Sequence, residues 1–250
     1  MKFFDHFDRF YKTSISGVLP ERLNKRHEVT IERHRELLHG KRVLDIGSHD
    51  GRFSFAALQT GCAHITGIEG RPHLVDAAEA NFRSYAADPS RYRFFLGDVF
   101  DIMRRETIEV DVVLLLGFFY HTSRHAELAS LISRTGAEYI ILDSVVLPRR
   151  YIPNGVAMVE LAQEPTDIEG FGFEDGPAAL VGVPSHSAVK IIFHHYGYLT
   201  EEIDWTPYLQ GTSGVEEYRK GTRATFLISR ASRGSGGRTA TMRPRAAESP

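Results

Sequence analysis

The chain has 250 residues, 42% of them hydrophobic and 25% charged, which is enough apolar material for one sizeable core. Its formal charge of −2 gives no electrostatic case for nucleic acid as the main partner, and its single cysteine, Cys62, excludes an internal disulfide framework. The charged opening MKFFDHFDRFYK is unlike a secretion signal and no run approaches the roughly 18 apolar residues that cross a bilayer, so a soluble cytoplasmic protein is expected.

A polar, helix-prone stretch over 22–39 comes first, read as a cap over the ligand edge of a sheet or as a solvated outer helix. Short apolar runs then alternate with helical patterns. Strands are expected over 42–47, 64–69, 92–98, 110–117 and 138–145, with helices over 51–60, 72–86 and 125–135. Pro72 suits a first helical position, and Gly136 a stop after the third helix. VDVVLLLG and EYIILDSVV are apolar on both faces, as strands covered by helices on each side must be. This alternation implies a doubly wound α/β sheet. Residues 147–184 are rich in Gly and Pro and break the pattern as an insertion or lid. SHSAVKIIFHHYGYL then reads as a helix with Ser185 as N-cap and Gly197 near its end, followed by strand patterns at 201–205 and 223–230. The organisation expected is a cap over 1–41, a main domain over 42–231 and a disordered, Gly-, Ser- and Arg-rich tail over 232–250.

In an open α/β sheet, ligands bind beyond the carboxyl ends of the strands, where strand order reverses. Four loops reach that edge. The first, Asp45-Ile46-Gly47-Ser48-His49-Asp50-Gly51, has glycines for tight turning and opens a helix whose free N–H groups suit an anion. Glu69, followed by Gly70, ends the second strand about twenty residues later, where a carboxylate grips two ribose hydroxyls. Asp98 ends the third strand, placed to accept from an adenine amine while Val99 and Phe100 pack on the ring. Gly117 ends the fourth. Each signal alone has a plainer reading, a tight turn or a helix cap; four in the right order argue for one nucleoside site. The first loop reads D-x-G-x-x-x-G rather than G-x-G-x-x-G, and a bulky His49 obstructs close approach to a pyrophosphate. S-adenosylmethionine has no phosphates and ends in an amino acid, so it tolerates a side chain there.

The segment 42–145 resembles the class I S-adenosylmethionine-dependent methyltransferases in its VLDIGSHDG, GIEGRP, LGDVF and LLLGFFYHT stretches, with His49 where that family usually has glycine. The resemblance implies a Rossmann-like, seven-stranded sheet that closes with antiparallel strands, in agreement with the patterns at 201–205 and 223–230. A narrower likeness covers 117–230. GFFYH, the long insertion, a Pro-Ser helix ending HYGYL and GTRATFLISR are similar to the branch containing tRNA uridine-34 carboxymethyltransferase. It implies that Tyr120 and Arg223 bind a carboxylated cofactor. That branch's long amino-terminal region and cofactor-contacting lysine have no match here, which favours ordinary S-adenosylmethionine as the cofactor.

A sulfonium methyl is already activated, so alignment of the acceptor dominates, and a base matters where the acceptor keeps its proton. His121, beside Tyr120 after the fourth strand, is the candidate base, or else steadies its loop by a local hydrogen bond. His49 is read as orienting cofactor or backbone, while His194 and His195 sit favourably late in a helix. Asp143, His186 and His121 form a conceivable metal set without ligand spacing, and no metal is expected. Cys62 reads as buried packing. Arg223 neutralises an acidic substrate, contacts the cofactor or pairs with a surface carboxylate. The insertion, with MVELAQEP and FGFEDG, forms a wall of the acceptor pocket or fills a satellite core. The expected function is methyl transfer to an oxygen or nitrogen of a small molecule, such as a sugar or natural product. The alternatives are a tRNA-modifying methyl- or carboxymethyltransferase and a non-catalytic cofactor-binding protein; oligomeric state is left open.

Overall fold

A computed structural model describes residues 2–13, 19–152, 156–165 and 178–231. Its strands are β1 (Arg42–Ile46), β2 (His64–Glu69), β3 (Tyr92–Leu96), β4 (Val112–Leu116), β5 (Tyr139–Val145), β6 (Val159–Pro165), β7 (Ala178–Pro184), β8 (Tyr198–Glu202) and β9 (Arg223–Arg230). Seven of them form one sheet in the order β3-β2-β1-β4-β5-β9-β8, and β6 and β7 pair separately as a hairpin. The first five are mutually parallel, while β9 runs antiparallel to both β5 and β8. The chain leaves β1 toward β2 and β3, then crosses back to β4 on the other side. The β1–β4 boundary is therefore the point where strand order reverses.

The helices are α1 (Phe3–His6), α2 (Pro20–Thr30), α3 (Arg35–Leu38), α4 (Arg52–Gln59), α5 (Pro72–Ser84), α6 (Val99–Arg105), α7 (His125–Arg134), α8 (His186–His195) and α9 (Glu216–Lys220). They cover both faces, and β4 shows why its five residues are all apolar. Val113 and Leu115 pack into the core formed with α6, α7 and α8, whereas Val112, Leu114 and Leu116 face the core formed with α1, α2, α4 and α5. Successive side chains point to opposite faces, so a strand covered on both sides has no polar position to spare. Among the described residues, no helix is long and apolar enough to cross a membrane.

Several boundaries differ from the sequence reading. The third strand stops at Leu96, because Asp98 turns the chain into α6 as its N-cap, accepting from the Asp101 N–H at 3.0 Å. Helix α6 is absent from the sequence reading. The strand expected over 201–205 lies three residues earlier, as β8. Gly197 (φ +83°) ends α8, and Tyr198 enters the core at once, donating its hydroxyl to the Ala137 carbonyl at 3.0 Å. Trp205, expected in that strand, instead stacks on Tyr218 at 3.5 Å and donates to Thr225 Oγ1. The insertion supplies a paired hairpin rather than irregular chain. The 22–39 stretch is no solvated helix, since Arg26, His27, Thr30 and His34 are all buried. FGFEDG and the expected tail over 232–250 lie outside the described residues.

Candidate active site

The end of β1 sets the first wall. Gly47 (φ +69°) turns the chain over Phe118, whose ring a Cβ at this position would meet at 3.2 Å. His49 sits at φ +56°, a left-handed conformation that costs a non-glycine residue about 1–2 kcal/mol. Its surroundings offset that cost. The His49 N–H donates to Glu69 Oε2 at 2.8 Å, and its Nδ1 lies 3.3 Å from Arg52 Nη2. Beneath the loop Asp50 is fully buried against Arg52 (2.6 and 2.8 Å) and accepts from the Thr13 hydroxyl. Burial alone would raise its pKa, but the Arg52 guanidinium and His49 hold the carboxyl far below the ordinary range.

These loops enclose a cavity of about 340 Å³ at the carboxyl ends of β1, β2 and β4. Asp45, Gly47, Ser48, His49, Glu69, Gly70, Asp98, Val99, Gly117, Tyr120, His121 and Arg223 all line it, so the structure gathers nearly every site residue read from the sequence. Gly51 is the exception. Its Cα faces Phe82, which an added Cβ would approach to 2.9 Å, and it lies outside the cavity lining. Gly51 serves the turn into α4 and close packing against α5.

The acidic groups differ sharply. Asp45 accepts from Ser54 Oγ at 2.6 Å, and burial, aided by Glu69 and Asp50, pushes its carboxyl up to about 7. Burial also opposes the charge on Glu69, yet Arg71 and the His49 N–H outweigh it and lower its pKa. Arg71 grips Glu69 through its backbone N–H (3.1 Å), Nε (2.7 Å) and Nη2 (3.2 Å). Asp98 lines the cavity while capping α6.

Across the cavity, Asp143 of β5 is sealed rather than available for a metal. It receives Arg26 (2.9 Å), Arg223 Nε (2.7 Å), the Tyr218 hydroxyl (2.8 Å) and the Thr225 hydroxyl (2.7 Å). Burial raises its pKa, but the two guanidiniums win by a wide margin. His186 instead meets Glu202 at 3.1 Å, and among the described residues no three potential ligands converge. One carboxylate facing two guanidiniums leaves a cationic surplus beside Gly117 and under the Tyr120 ring, whose centroid is 5.6 Å from the Arg223 guanidinium. Arg26 comes from the cap and was not singled out in the sequence; a lone arginine in a polar helix carries no signal. Cys62 is fully buried, and burial pushes its thiol up to about 12, consistent with packing.

Residues 43–136, from β1 through α7, match the family model described as a methyltransferase domain. Ribosomal RNA large subunit methyltransferase I of Enterobacter sp. (strain 638) is 31% identical over 71 residues, 28% of this chain and 18% of that protein. The same enzyme of Klebsiella pneumoniae (strain 342) is 32% identical over 71 residues, with the same shares. The chain thus spans under a fifth of the length of these relatives. The N-terminal domain of EvdMO1, solved in the presence of SAH and D-fucose, superposes with a TM-score of 0.59 at 17% identity, covering 80% of both chains. An S-adenosylmethionine-dependent methyltransferase from Mesorhizobium loti gives 0.56 at 12%, covering 80% of this chain and 96% of that one. The [4+2]-cyclase SpnF gives 0.54 at 14%, covering 80% and 81%. At these identities the likeness is one of fold, and a cyclase among such neighbours is a reminder that fold does not fix chemistry.

Proposed function

We propose that the protein is an S-adenosylmethionine-dependent methyltransferase acting on an oxygen or nitrogen of a small molecule. The observation that carries the cofactor reading is the convergence of the ends of β1, β2 and β4 and the start of α6 on one cavity. Its lining includes the carboxylates Asp45, Glu69 and Asp98 and the glycines Gly47, Gly70 and Gly117. In this reading Glu69 holds the ribose, Asp98 and Val99 the adenine, and Asp45, Gly47, Ser48, His49 and Gly117 the methionyl end, with Gly70 allowing close approach. When bound, the cofactor supplies an electrophilic methyl group. Tyr120, His121 and Arg223 then flank the acceptor. Holding acceptor and methyl in line is worth roughly 7–11 kcal/mol, and a base at His121 adds about 10²–10⁴-fold where the acceptor keeps a proton.

Calorimetry with S-adenosylmethionine, S-adenosylhomocysteine and NAD tests this. Binding of the first two without NAD is expected; NAD binding alone would overturn it. The EvdMO1 neighbour, solved with a sugar, supports a small acceptor. The cationic surplus at Arg26 and Arg223 favours a second reading, in which an anionic group on cofactor or acceptor sits beside Tyr120, as a carboxymethyltransferase requires. Tighter binding of a carboxylated S-adenosylmethionine than of the ordinary compound would select it. The ribosomal RNA relatives keep an RNA acceptor in view. RNA retention that falls steeply with salt would favour it.

A further inference from the structure

We propose that Arg71 is a latch on Glu69: its guanidinium fork stands where a ribose diol would bind, and a nucleoside takes the carboxylate only by displacing it. The inference rests on the cofactor reading of the cavity and concerns the affinity of that same site. Glu69 closes β2 and Arg71 is the N-cap of α5, so the pair sits on one turn, and Glu69, Gly70 and Arg71 all line the cavity. Glu69 Oε1 accepts from the Arg71 N–H (3.1 Å) and Nε (2.7 Å), and Oε2 from the His49 N–H (2.8 Å) and Arg71 Nη2 (3.2 Å). A carboxylate has about four lone-pair positions, and these four donors fill them.

The donors are not equally removable. Two are backbone N–H groups on fixed chain. The Glu69 carbonyl accepts from the Gly97 N–H at 3.0 Å, and the Ile68 carbonyl from the N–H groups of Gly47 and Ser48, which ties β2 to β3 and to the loop carrying His49. Pro72, at the first helical position, restricts the backbone of Arg71 as well. The other two donors, Nε and Nη2, belong to a long side chain and place one hydrogen bond on each carboxylate oxygen. A vicinal diol makes the same pattern with its two adjacent hydroxyls. The Arg71 side chain is 15% exposed and that of Glu69 only 4%, so the guanidinium leaves toward water while the carboxylate stays. The hydroxyls replace the donors of Arg71 but not its charge. Part of the binding energy of the ribose is therefore absorbed in opening the latch.

The test compares the wild-type chain with Arg71→Met, which keeps the length of the side chain without its donors, and with Arg71→Lys, which keeps the charge without the fork. Each is titrated calorimetrically with S-adenosylhomocysteine and with its 2′,3′-dideoxy analogue, and urea midpoints show that the variants are folded. Arg71→Met should bind S-adenosylhomocysteine about tenfold more tightly than the wild type, the scale of one charge-assisted hydrogen bond. Its affinity for the dideoxy analogue should stay within about twofold, because a ligand without the diol never opens the latch. Arg71→Lys should move the same way by a smaller factor, so either folded variant decides the sign. A residue that merely braced the turn would, when replaced, weaken both ligands alike. Equal changes for the two ligands, or weaker binding of S-adenosylhomocysteine, overturn the latch and leave the cofactor reading standing. Failure of S-adenosylhomocysteine to bind any of the three proteins sinks the cofactor reading, and the latch falls with it.

Discussion

At the scale of single residues, the carboxyl groups around the cavity carry opposite pH signatures. Asp45 has a folded-state pKa near 7, above the unfolded value, so its contribution to stability is complete at low pH and is lost as pH rises toward and through 7. Asp50 and Asp143 are depressed by their arginines, so they stabilise at neutral pH and cease to do so in acid. Asp45→Asn should therefore gain stability relative to the wild type progressively between pH 5 and 8. Urea midpoints across that range check it, and a constant difference would contradict it. Glu69→Ala should weaken S-adenosylhomocysteine binding at least tenfold, about 1.4 kcal/mol, in calorimetry on a variant that remains folded. Most of these residues were legible because chemistry at strand ends follows from topology. The packing of Gly51 against Phe82 was not legible, because a glycine for packing and a glycine for ligand approach look alike in one dimension. His49 was legible as an oddity, but its left-handed backbone needed coordinates.

Elements were legible in proportion to their periodicity. β4 and β5 announce themselves by apolar runs, and α8 by Ser185 and Gly197. Ser185 does more than cap: its hydroxyl oxygen accepts from Ala188 N–H (3.2 Å) and from Met158 N–H (3.0 Å), tying α8 to the start of the hairpin. Ser185→Ala should cost about 1–2 kcal/mol, the upper part of the range for N-caps, seen as a lower denaturant midpoint with an unchanged slope. Helix α6 escaped because seven residues, VFDIMRR, are too few to show a period, and Asp98 serves cap and cavity at once. The hairpin escaped because Gly and Pro mark turns without saying what the turns connect. Glu164 Oε2 lies 3.2 Å from His121 Nδ1, yet the two are 43 residues apart and no spacing rule joins them.

For the molecule as a whole, the N-terminal segment is the main surprise. Phe4 and Phe10 are fully buried, and Phe10 lies 5.5 Å from Phe55, which in turn packs on Phe82 and Tyr85. The polar α2 closes over the sheet edge through a charge, Arg26 on Asp143, as well as through the buried Leu23. Cap and sheet thus share one core, and Phe10→Ala should destabilise the whole chain by about 3–5 kcal/mol in a single cooperative transition. An early, separate transition of the N-terminal segment would show instead that it folds apart from the sheet.

The order of most strands and helices, the two-sided burial of the central strands and the gathering of polar and glycine residues at one edge of the sheet were determined by the sequence itself. Each depends on local periodicity or on a residue's place at the end of a strand. Tertiary structure alone decided which charges meet. Asp143 with Arg26 and Arg223, Glu69 with Arg71, and His121 with Glu164 are contacts made after the chain has folded back on itself. Their strength depends on burial and angle, which no linear spacing encodes.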